Sequence, residues 1–280
     1  MPSQPSQIPY ERFGDRGPLL HFAHANAYPP GVYRELLSTL ANRFRVLATH
    51  ERPLWPGSQP ESLHDWSDIA DDMIRFFDQR QLSDAIGVGH SLGAVATMIA
   101  SLKRPALFRA LVLIEPVFLP QNVVDLLIAG AKLDNPYEIP YVQIARNRRA
   151  WWPSQEATFA HYRGKEVFAR LSDETLWNYV RYGTVEDQRG GVRLRYSPEW
   201  EAQIYALPPT GVWELIPLIS RPTLAMRGRE SDTLSQQSWS QWQALQPQAI
   251  FEEYAGAGHL LPIELAAPVA DSILAFVDSL

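Results

Sequence analysis

Cysteine is absent from the 280-residue sequence, which excludes disulfide bonds, thiolate nucleophiles and cysteine-based metal sites. The sequence also lacks an apolar run of about 18 residues, the length that a membrane-spanning helix needs, so we expect no membrane partner. Residues 1–7 contain neither a basic region nor an apolar stretch, and we therefore expect no secretory signal and a cytoplasmic location. The sequence also has no excess of positive charge, because its net charge is -6. This negative charge argues against nucleic acid as a partner.

The composition is that of a globular protein, with 46% hydrophobic and 20% charged residues. A chain of this length fits one large domain or a core with one insertion. In the first part of the chain, short apolar segments alternate with segments of helical periodicity. The predicted strands of this part are residues 18–25, 44–49, 85–88 and 110–114. We therefore predict an α/β fold with a mostly parallel central sheet and helices on both faces.

The alternation stops near Pro116 and resumes with predicted strands at 222–227 and 249–254 and predicted helices at 235–245 and 268–280. The residues between these parts contain helical patterns, many prolines and many aromatic side chains, and they are too numerous for a plain loop. We therefore predict an α/β core formed by residues 1–117 and 218–280, interrupted by a mainly helical cap at residues 118–217.

The sequence Gly89-His90-Ser91-Leu92-Gly93 lies between a predicted buried strand and the apolar run of a predicted buried helix. A G-x-S-x-G pattern in this context is typical of a nucleophile elbow, a strained turn that lifts the serine hydroxyl above the edge of the sheet. The two glycines allow the strand and the helix to approach each other closely around the turn. Ser91 is therefore the candidate nucleophile.

A serine hydroxyl needs a base to accept its proton and an acidic group to orient that base. His259 is the candidate base, because it follows the strand at 249–254 through a glycine-containing loop and so lies at the carboxyl edge of the sheet. Asp232 is the favoured acid, since it lies between the serine and the histidine in the chain, just past a predicted strand. Glu115, which directly follows the strand at 110–114, is the alternative acid.

The oxyanion of a tetrahedral intermediate needs two hydrogen-bond donors. The backbone N–H of Leu92, the residue after the candidate nucleophile, is the first candidate. The loop after the first predicted strand should supply the second, and the backbone N–H of Asn26 is the favoured donor there.

These residues resemble the α/β-hydrolase superfamily, and the resemblance extends from about Pro18 to Phe276. The serine motif matches the Gly-His-Ser-x-Gly pattern of the family, residues 227–232 resemble its acid loop, and residues 256–259 resemble its histidine loop. His24-Ala25-Asn26 takes the place of its oxyanion loop, but with alanine at position 25, where many members have glycine. Ala27 follows in the same loop, and alanine tolerates a positive φ poorly.

The resemblance implies a hydrolase, although the fold hosts many chemistries. Epoxide hydrolases and haloalkane dehalogenases of this fold carry aspartate at the elbow, so Ser91 argues against both. We predict a serine hydrolase, most of all a carboxylesterase, that cleaves esters of apolar or aromatic small molecules. The alternatives are a C–C bond hydrolase of vinylogous diketones, a thioesterase or lactonase, and a non-catalytic ligand-binding protein.

The candidate substrate-pocket residues are Tyr28, His90, Trp151 and Trp152, because aromatic side chains combine apolar surface with polar groups. The basic run Arg146–Arg149 either holds a substrate carboxylate or forms a solvated helix face. We expect no cofactor, and no histidine spacing indicates a metal site. The expected partner is a small-molecule substrate, and the expected state is a monomer or homodimer.

Overall fold

A computed structural model describes residues 7–131 and 139–280, which form ten strands in two sheets within these ranges. In chain order the strands are β1 (Tyr10–Phe13), β2 (Leu19–Ala23), β3 (Arg45–Thr49), β4 (Ala85–His90), β5 (Phe108–Ile114), β6 (Trp151–Trp152), β7 (Thr184–Glu186), β8 (Val192–Leu194), β9 (Thr223–Gly228) and β10 (Ile250–Tyr254). The central sheet has the order β1-β3-β2-β4-β5-β9-β10, and the small sheet has the order β6-β8-β7. All neighbours in the central sheet are parallel except β1, which is antiparallel to β3.

Helices α1, α2, α3, α10 and α12 pack on the two faces of the central sheet, and others form much of the segment between β5 and β9. In chain order the helices are α1 (Arg34–Leu40), α2 (Ser67–Gln79), α3 (Leu92–Lys103), α4 (Gln121–Ala131), α5 (Pro140–Arg146), α6 (Gln155–Arg163), α7 (Asp173–Gly183), α8 (Pro198–Ala206), α9 (Val212–Leu215), α10 (Gln236–Leu245), α11 (Leu261–Glu264) and α12 (Ala266–Asp278). Short 3₁₀ helices lie at Pro30–Tyr33, Arg52–Leu54, Pro60–Ser62, Pro105–Leu107, Glu166–Phe168 and Ile216–Leu218. Within the described ranges, none of the helices is both long and apolar enough to cross a membrane.

The core consists of two apolar layers, because successive side chains of a strand point to opposite faces of the sheet. In β5, Leu111 and Leu113 pack with α2, α3 and α10, whereas Val112 and Ile114 pack with α1 and α12 on the other face. Strand β5 is buried on both faces, and its sequence is therefore an almost continuous apolar run. The predicted α/β fold with a mostly parallel sheet and helices on both faces is confirmed.

Two features were not predicted from the sequence. Strand β1 precedes the first predicted strand in the chain and is an edge strand of the central sheet. The segment between β5 and β9 carries a three-stranded antiparallel sheet beside its helices. Its strands are two or three residues long, too short to show the alternation by which strands are recognised. Residues 1–6 and residues 132–138, part of the predicted cap, lie outside the described residues.

Candidate functional site

Ser91 lies at the sharp turn between β4 and α3, where the sequence predicted a nucleophile elbow. Its backbone has φ 56 and ψ -118, an unfavourable conformation for a residue with a side chain. A Cβ atom on Gly93 would lie 2.3 Å from the carbonyl oxygen of Ala23, and one on Gly89 would lie 2.4 Å from the carbonyl oxygen of Gly93. Glycine at these two positions therefore permits the close packing of α3 against β2 and β4 that holds the strained serine.

His259 connects the serine hydroxyl to a buried carboxylate. Its Nε2 atom lies 3.0 Å from Ser91 Oγ, and its Nδ1 atom lies 3.0 Å from Glu115 Oε2. Because a carboxylate accepts hydrogen bonds, Nδ1 of the neutral ring carries the proton and Nε2 accepts from the serine hydroxyl. The side chain of Glu115 is fully buried, and that of His259 is 21% exposed. The three groups thus stand in the order that an activated serine nucleophile requires.

The acid favoured by the sequence, Asp232, forms no hydrogen bond or ion pair with His259, whose ring bonds to Ser91 and Glu115. Asp232 is exposed, and its Oδ1 atom accepts a hydrogen bond from the Thr233 hydroxyl at 3.2 Å. The alternative acid, Glu115, occupies the position beside the histidine instead. The reason lies in the sheet, because Glu115 directly follows β5, the neighbour of the strand β4 that leads to Ser91. The backbone N–H of Ser91 donates to the carbonyl of Ile114, the last residue of β5, at 3.0 Å. The preference for Asp232 is therefore corrected to Glu115.

Two other residues of the segment that carries Asp232 donate hydrogen bonds to the buried carboxylate of Glu115. The backbone N–H of Gly228 donates to Glu115 Oε1 at 2.6 Å, and the hydroxyl of Ser231 donates to Glu115 Oε2 at 2.6 Å. Glu115 itself has φ 49, and its N–H donates to the carbonyl of Met226 at 2.9 Å. Sequence reasoning missed Ser231, although this serine lies beside Asp232 in the loop that was expected to carry the acid.

The two residues that carry the candidate oxyanion donors, Leu92 and Asn26, line the same cavity as Ser91. Leu92 is the first residue of α3, where backbone N–H groups have no partner within the helix. Asn26 lies in the loop after β2, and its side-chain amide donates to the carbonyl of Glu201 at 3.4 Å. The positive φ in this loop falls at Ala27, with φ 67, and not at Ala25, where many family members have glycine.

A cavity of about 1040 Å³ opens above Ser91, with walls from both the core and the segment between β5 and β9. Its aromatic lining consists of Tyr28, Trp66, Tyr141, Tyr162, Phe168, Tyr179 and Tyr205. Among the four candidate pocket residues, the structure places Tyr28 in the lining, where its ring lies 5.2 Å from that of Tyr179. Asp232 also lines the cavity.

The other three candidate pocket residues lie outside this lining. His90 is fully buried and bonds to Tyr33 and to the backbone of His259, since the turn directs its side chain below the serine and into the core. Trp152 is fully buried and packs on Tyr162. The Trp151 indole donates to the carbonyl of Gly190, in the turn between β7 and β8, at 2.9 Å.

Arg148 is the least exposed of the three arginines in the basic run. It donates to Glu201, to the hydroxyl of Tyr162 at 2.7 Å and to the hydroxyl of Tyr179 at 3.0 Å. These partners lie on α6, α7 and α8, so the guanidinium connects three helices of the insertion at the cavity wall. Arg149 and Lys165 also line the cavity. In the described part of the chain, no three histidine or carboxylate side chains are grouped so that they could hold a metal ion.

Comparisons with known proteins agree with this architecture. The chain is 34% identical over 99 residues to 2-(acetamidomethylene)succinate hydrolase of Mesorhizobium japonicum, and the match covers 35% of this chain and 36% of that protein. The crystal structure of E-2-(acetamidomethylene)succinate hydrolase superposes with a TM-score of 0.82 at 23% identity, over 97% of this chain and 95% of that one. A thioesterase domain from the curacin biosynthetic pathway gives a TM-score of 0.75 at 21% identity, over 95% and 94% of the two chains.

These structural likenesses show the fold, and a family model extends the match along most of the sequence. The model described as the alpha/beta hydrolase family covers residues 22–272, a range that includes the serine motif, Glu115 and His259. The chain therefore belongs to the alpha/beta hydrolase family.

Proposed function

We propose that this protein is a serine hydrolase that forms an acyl-enzyme on Ser91. The observation that carries the proposal is the pair of 3.0 Å contacts that His259 makes, one with the serine hydroxyl and one with the buried carboxylate of Glu115. A serine, a histidine and a carboxylate in this order supply a nucleophile, a general base and the group that fixes the tautomer of the base.

In the proposed reaction, Ser91 Oγ attacks the ester carbonyl while His259 Nε2 takes the hydroxyl proton. The backbone N–H groups of Leu92 and Asn26 bind the oxyanion of the tetrahedral intermediate. As the intermediate collapses, the C–O bond to the alcohol breaks and the alcohol leaves with the proton from His259. Water then attacks the acyl carbon while His259 Nε2 takes its proton, the C–O bond to Ser91 Oγ breaks, Oγ receives the proton from His259, and the carboxylic acid is released. Glu115 stabilises the imidazolium in both halves of the reaction.

The lining of the cavity supports esters of apolar or aromatic small molecules as the substrate class. Its aromatic walls provide apolar surface, and polar groups occur at a few positions, a combination typical of small-molecule sites. We propose that residues 118–217 act as a cap over Ser91, since α5, α6, α7 and α8 supply much of the wall. A cap of this kind would exclude bulk water from the reacting centre.

A second candidate is a substrate that carries a carboxylate, such as the diketones cleaved by C–C hydrolases. Arg149 and Lys165 at the cavity wall favour it, because a guanidinium or ammonium group binds carboxylates. The relative from Mesorhizobium japonicum is named for a succinate substrate, which also carries carboxylates. The simple ester remains the first proposal, because the lining of the cavity as a whole is mostly apolar.

Hydrolysis of a p-nitrophenyl ester series by the wild type and by Ser91→Ala tests the proposed function. We expect the substitution to lower kcat by at least about 10⁴-fold, the scale seen when a serine nucleophile is removed. Ser101→Ala is the matched control, because Ser101 is buried at the other end of α3 and donates to the carbonyl of Met98. A turnover rate of Ser91→Ala equal to that of the wild type would contradict the proposal that an acyl-enzyme forms on Ser91.

Esters whose acyl group ends in a carboxylate distinguish the two substrate classes. For the second candidate, kcat/KM is higher for the charged ester than for a neutral ester of equal length, and Arg149→Gln and Lys165→Gln remove this preference. For the first candidate, the neutral ester is preferred by the wild type and by both variants. Turnover of a ring-fission diketone, measured beside the ester series, tests C–C cleavage.

A further inference from the structure

Tyr33 and His90 are fully buried residues that take no part in the proposed reaction. Together they connect the loop after β2, which carries Asn26, to the loop that carries His259. Ala25 N–H donates to the hydroxyl oxygen of Tyr33 at 3.1 Å, and this oxygen lies 2.8 Å from His90 Nδ1. His90 Nε2 in turn lies 2.8 Å from the backbone carbonyl oxygen of His259. We call Tyr33 and His90, with these three hydrogen bonds, the Tyr33–His90 bridge.

The two backbone groups at the ends of the Tyr33–His90 bridge, the N–H of Ala25 and the carbonyl of His259, fix which atom donates in each of its hydrogen bonds. The carbonyl of His259 can only accept, so His90 Nε2 carries the proton and Nδ1 accepts from the hydroxyl of Tyr33. Burial lowers the pKa of His90 well below its usual range and raises the pKa of Tyr33 well above its usual range. Both side chains therefore stay neutral, and the bridge keeps one direction over a wide pH range.

The peptide groups at the other end of the bridge are also fixed. The carbonyl of Ala25 accepts from His24 Nδ1 at 2.8 Å and from the backbone N–H of Tyr28 at 3.1 Å. His24 Nε2 accepts from the backbone N–H of Glu51 at 3.1 Å, so this ring is held at both nitrogens. In a trans peptide the N–H points opposite to the preceding carbonyl, and the fixed carbonyl of Ala25 therefore sets the direction of the Asn26 N–H.

We propose that the Tyr33–His90 bridge positions the oxyanion loop relative to the loop of His259, so that Tyr33 and His90 are positioning residues for hydrolysis at Ser91. The inference rests on the proposed function, in which Asn26 binds the oxyanion and His259 transfers the proton. These two groups lie on different loops, after β2 and after β10. Catalysis requires such groups to stay within about 0.5 Å of the productive geometry, and a hydrogen-bonded link between the loops meets this requirement.

Tyr33→Phe removes the central hydroxyl of the bridge while keeping the ring. We expect kcat to fall about tenfold, the loss that corresponds to one buried hydrogen bond, with KM within about twofold of wild type. KM is unaffected because neither Tyr33 nor His90 lines the cavity. Tyr254→Phe is the control, since it removes a hydroxyl that bonds to Glu252 and Ser272 away from the cavity, and its kcat should match the wild type.

Two substitutions at His90 separate the halves of the bridge. His90→Asn keeps an acceptor near the position of Nδ1 and loses the donor to the carbonyl of His259, whereas His90→Gln keeps a donor near Nε2 and loses the acceptor for Tyr33. Each should lower kcat without raising KM. Because both Tyr33→Phe and His90→Gln break the same contact, the double variant should be about tenfold below wild type and not about a hundredfold.

Backbone amide exchange and histidine ¹⁵N NMR test the bridge without using the reaction. We expect a protected Ala25 amide in the wild type, faster exchange at Ala25 in Tyr33→Phe, and an Nε2–H tautomer at His90. Wild-type kcat with unchanged exchange in Tyr33→Phe would overturn the inference, as would a multiplicative loss in the double variant. Failure of the proposed function looks different, because Ser91→Ala would then retain turnover whatever the bridge variants do.

Discussion

Glu115 is a fully buried carboxylate whose two oxygens accept hydrogen bonds from three donors. The donors are the backbone of Gly228, the hydroxyl of Ser231 and the ring of His259. Burying a carboxylate without such partners is unfavourable, and these bonds compensate for its lost hydration. They also fix the carboxylate in position, so the histidine meets an acceptor whose place is already determined.

Glu115→Gln should lower kcat by about 10³–10⁴-fold, because a neutral amide neither stabilises the imidazolium nor selects the tautomer that accepts the serine proton. Asp232→Asn is the matched control, since it makes the corresponding acid-to-amide change on an exposed side chain that lines the cavity above Ser91. Its kcat should stay within a few-fold of wild type. Steady-state hydrolysis of one p-nitrophenyl ester measures both variants, and the opposite ranking would restore Asp232 as the acid.

At the scale of elements, the turn between β4 and α3 determines the position of Ser91, the proposed nucleophile. The turn tolerates the strained backbone of Ser91 because the strand on one side and the helix on the other are both packed in the core. This packing depends on the absence of a side chain at Gly93, which faces the backbone carbonyls of Ala23 and His24. Those carbonyls lie at the start of the loop that carries Asn26, so one close contact helps to position both the proposed nucleophile and the proposed oxyanion donor.

Gly93→Ala should therefore impair both folding and activity. Its Cβ atom would lie 2.3 Å from the carbonyl oxygen of Ala23 and 2.6 Å from that of His24, contacts that backbone atoms must relieve by moving. We expect a loss of about 1–3 kcal/mol in the free energy of unfolding, the usual effect of overpacking, and a lower kcat. Gly183→Ala at the end of α7 is the control, because a Cβ atom there has no neighbour within 4 Å. Urea unfolding and ester hydrolysis measure the two variants, and equal results for both would contradict the role of Gly93.

For the whole molecule, buried histidines make stability depend on pH. His21 on β2 bonds to the hydroxyl of Thr49 at 3.1 Å and packs against the rings of Phe76 and Phe77. Burial lowers the pKa of His21 to about 3 from 6.5. The folded-state pKa is thus below that of the unfolded chain, so between these values the unfolded chain binds one more proton. The stability contributed by neutral His21 is complete above pH 6.5 and is lost as the pH falls toward 3.

His21→Gln should reduce the acid sensitivity of the whole protein. One proton bound only by the unfolded state costs about 1.4 kcal/mol per pH unit, so between about pH 7.5 and pH 4.5 the wild type should lose roughly 2–3 kcal/mol more than the variant. Urea unfolding at the two pH values measures the difference. Comparing each protein with itself removes the packing effect of the substitution, and parallel pH dependence in both would contradict the prediction.

The fold and two of the three groups at the candidate centre could be predicted from the sequence, because their signals are local. The motif around Ser91 needs only its neighbouring glycines and the strand and helix beside them, and His259 follows the last strand of the sheet directly. Glu115 was only the alternative acid, since the sequence order of strands does not show which strand end faces the histidine. His90 shows the same limit, because the sequence does not show that its side chain is buried in the core and absent from the cavity lining.

The sequence by itself determined the α/β architecture, the serine at its elbow and the histidine loop, since periodicity and turn residues act over short distances along the chain. Only the tertiary structure decided that Glu115 and not Asp232 meets His259, that Tyr28 and not Trp151 or Trp152 lines the cavity, and that His90 joins two loops. These outcomes depend on which strand ends lie side by side in the sheet and on how the insertion packs above them. Contacts of this kind join residues far apart in the chain, so no local pattern specifies them.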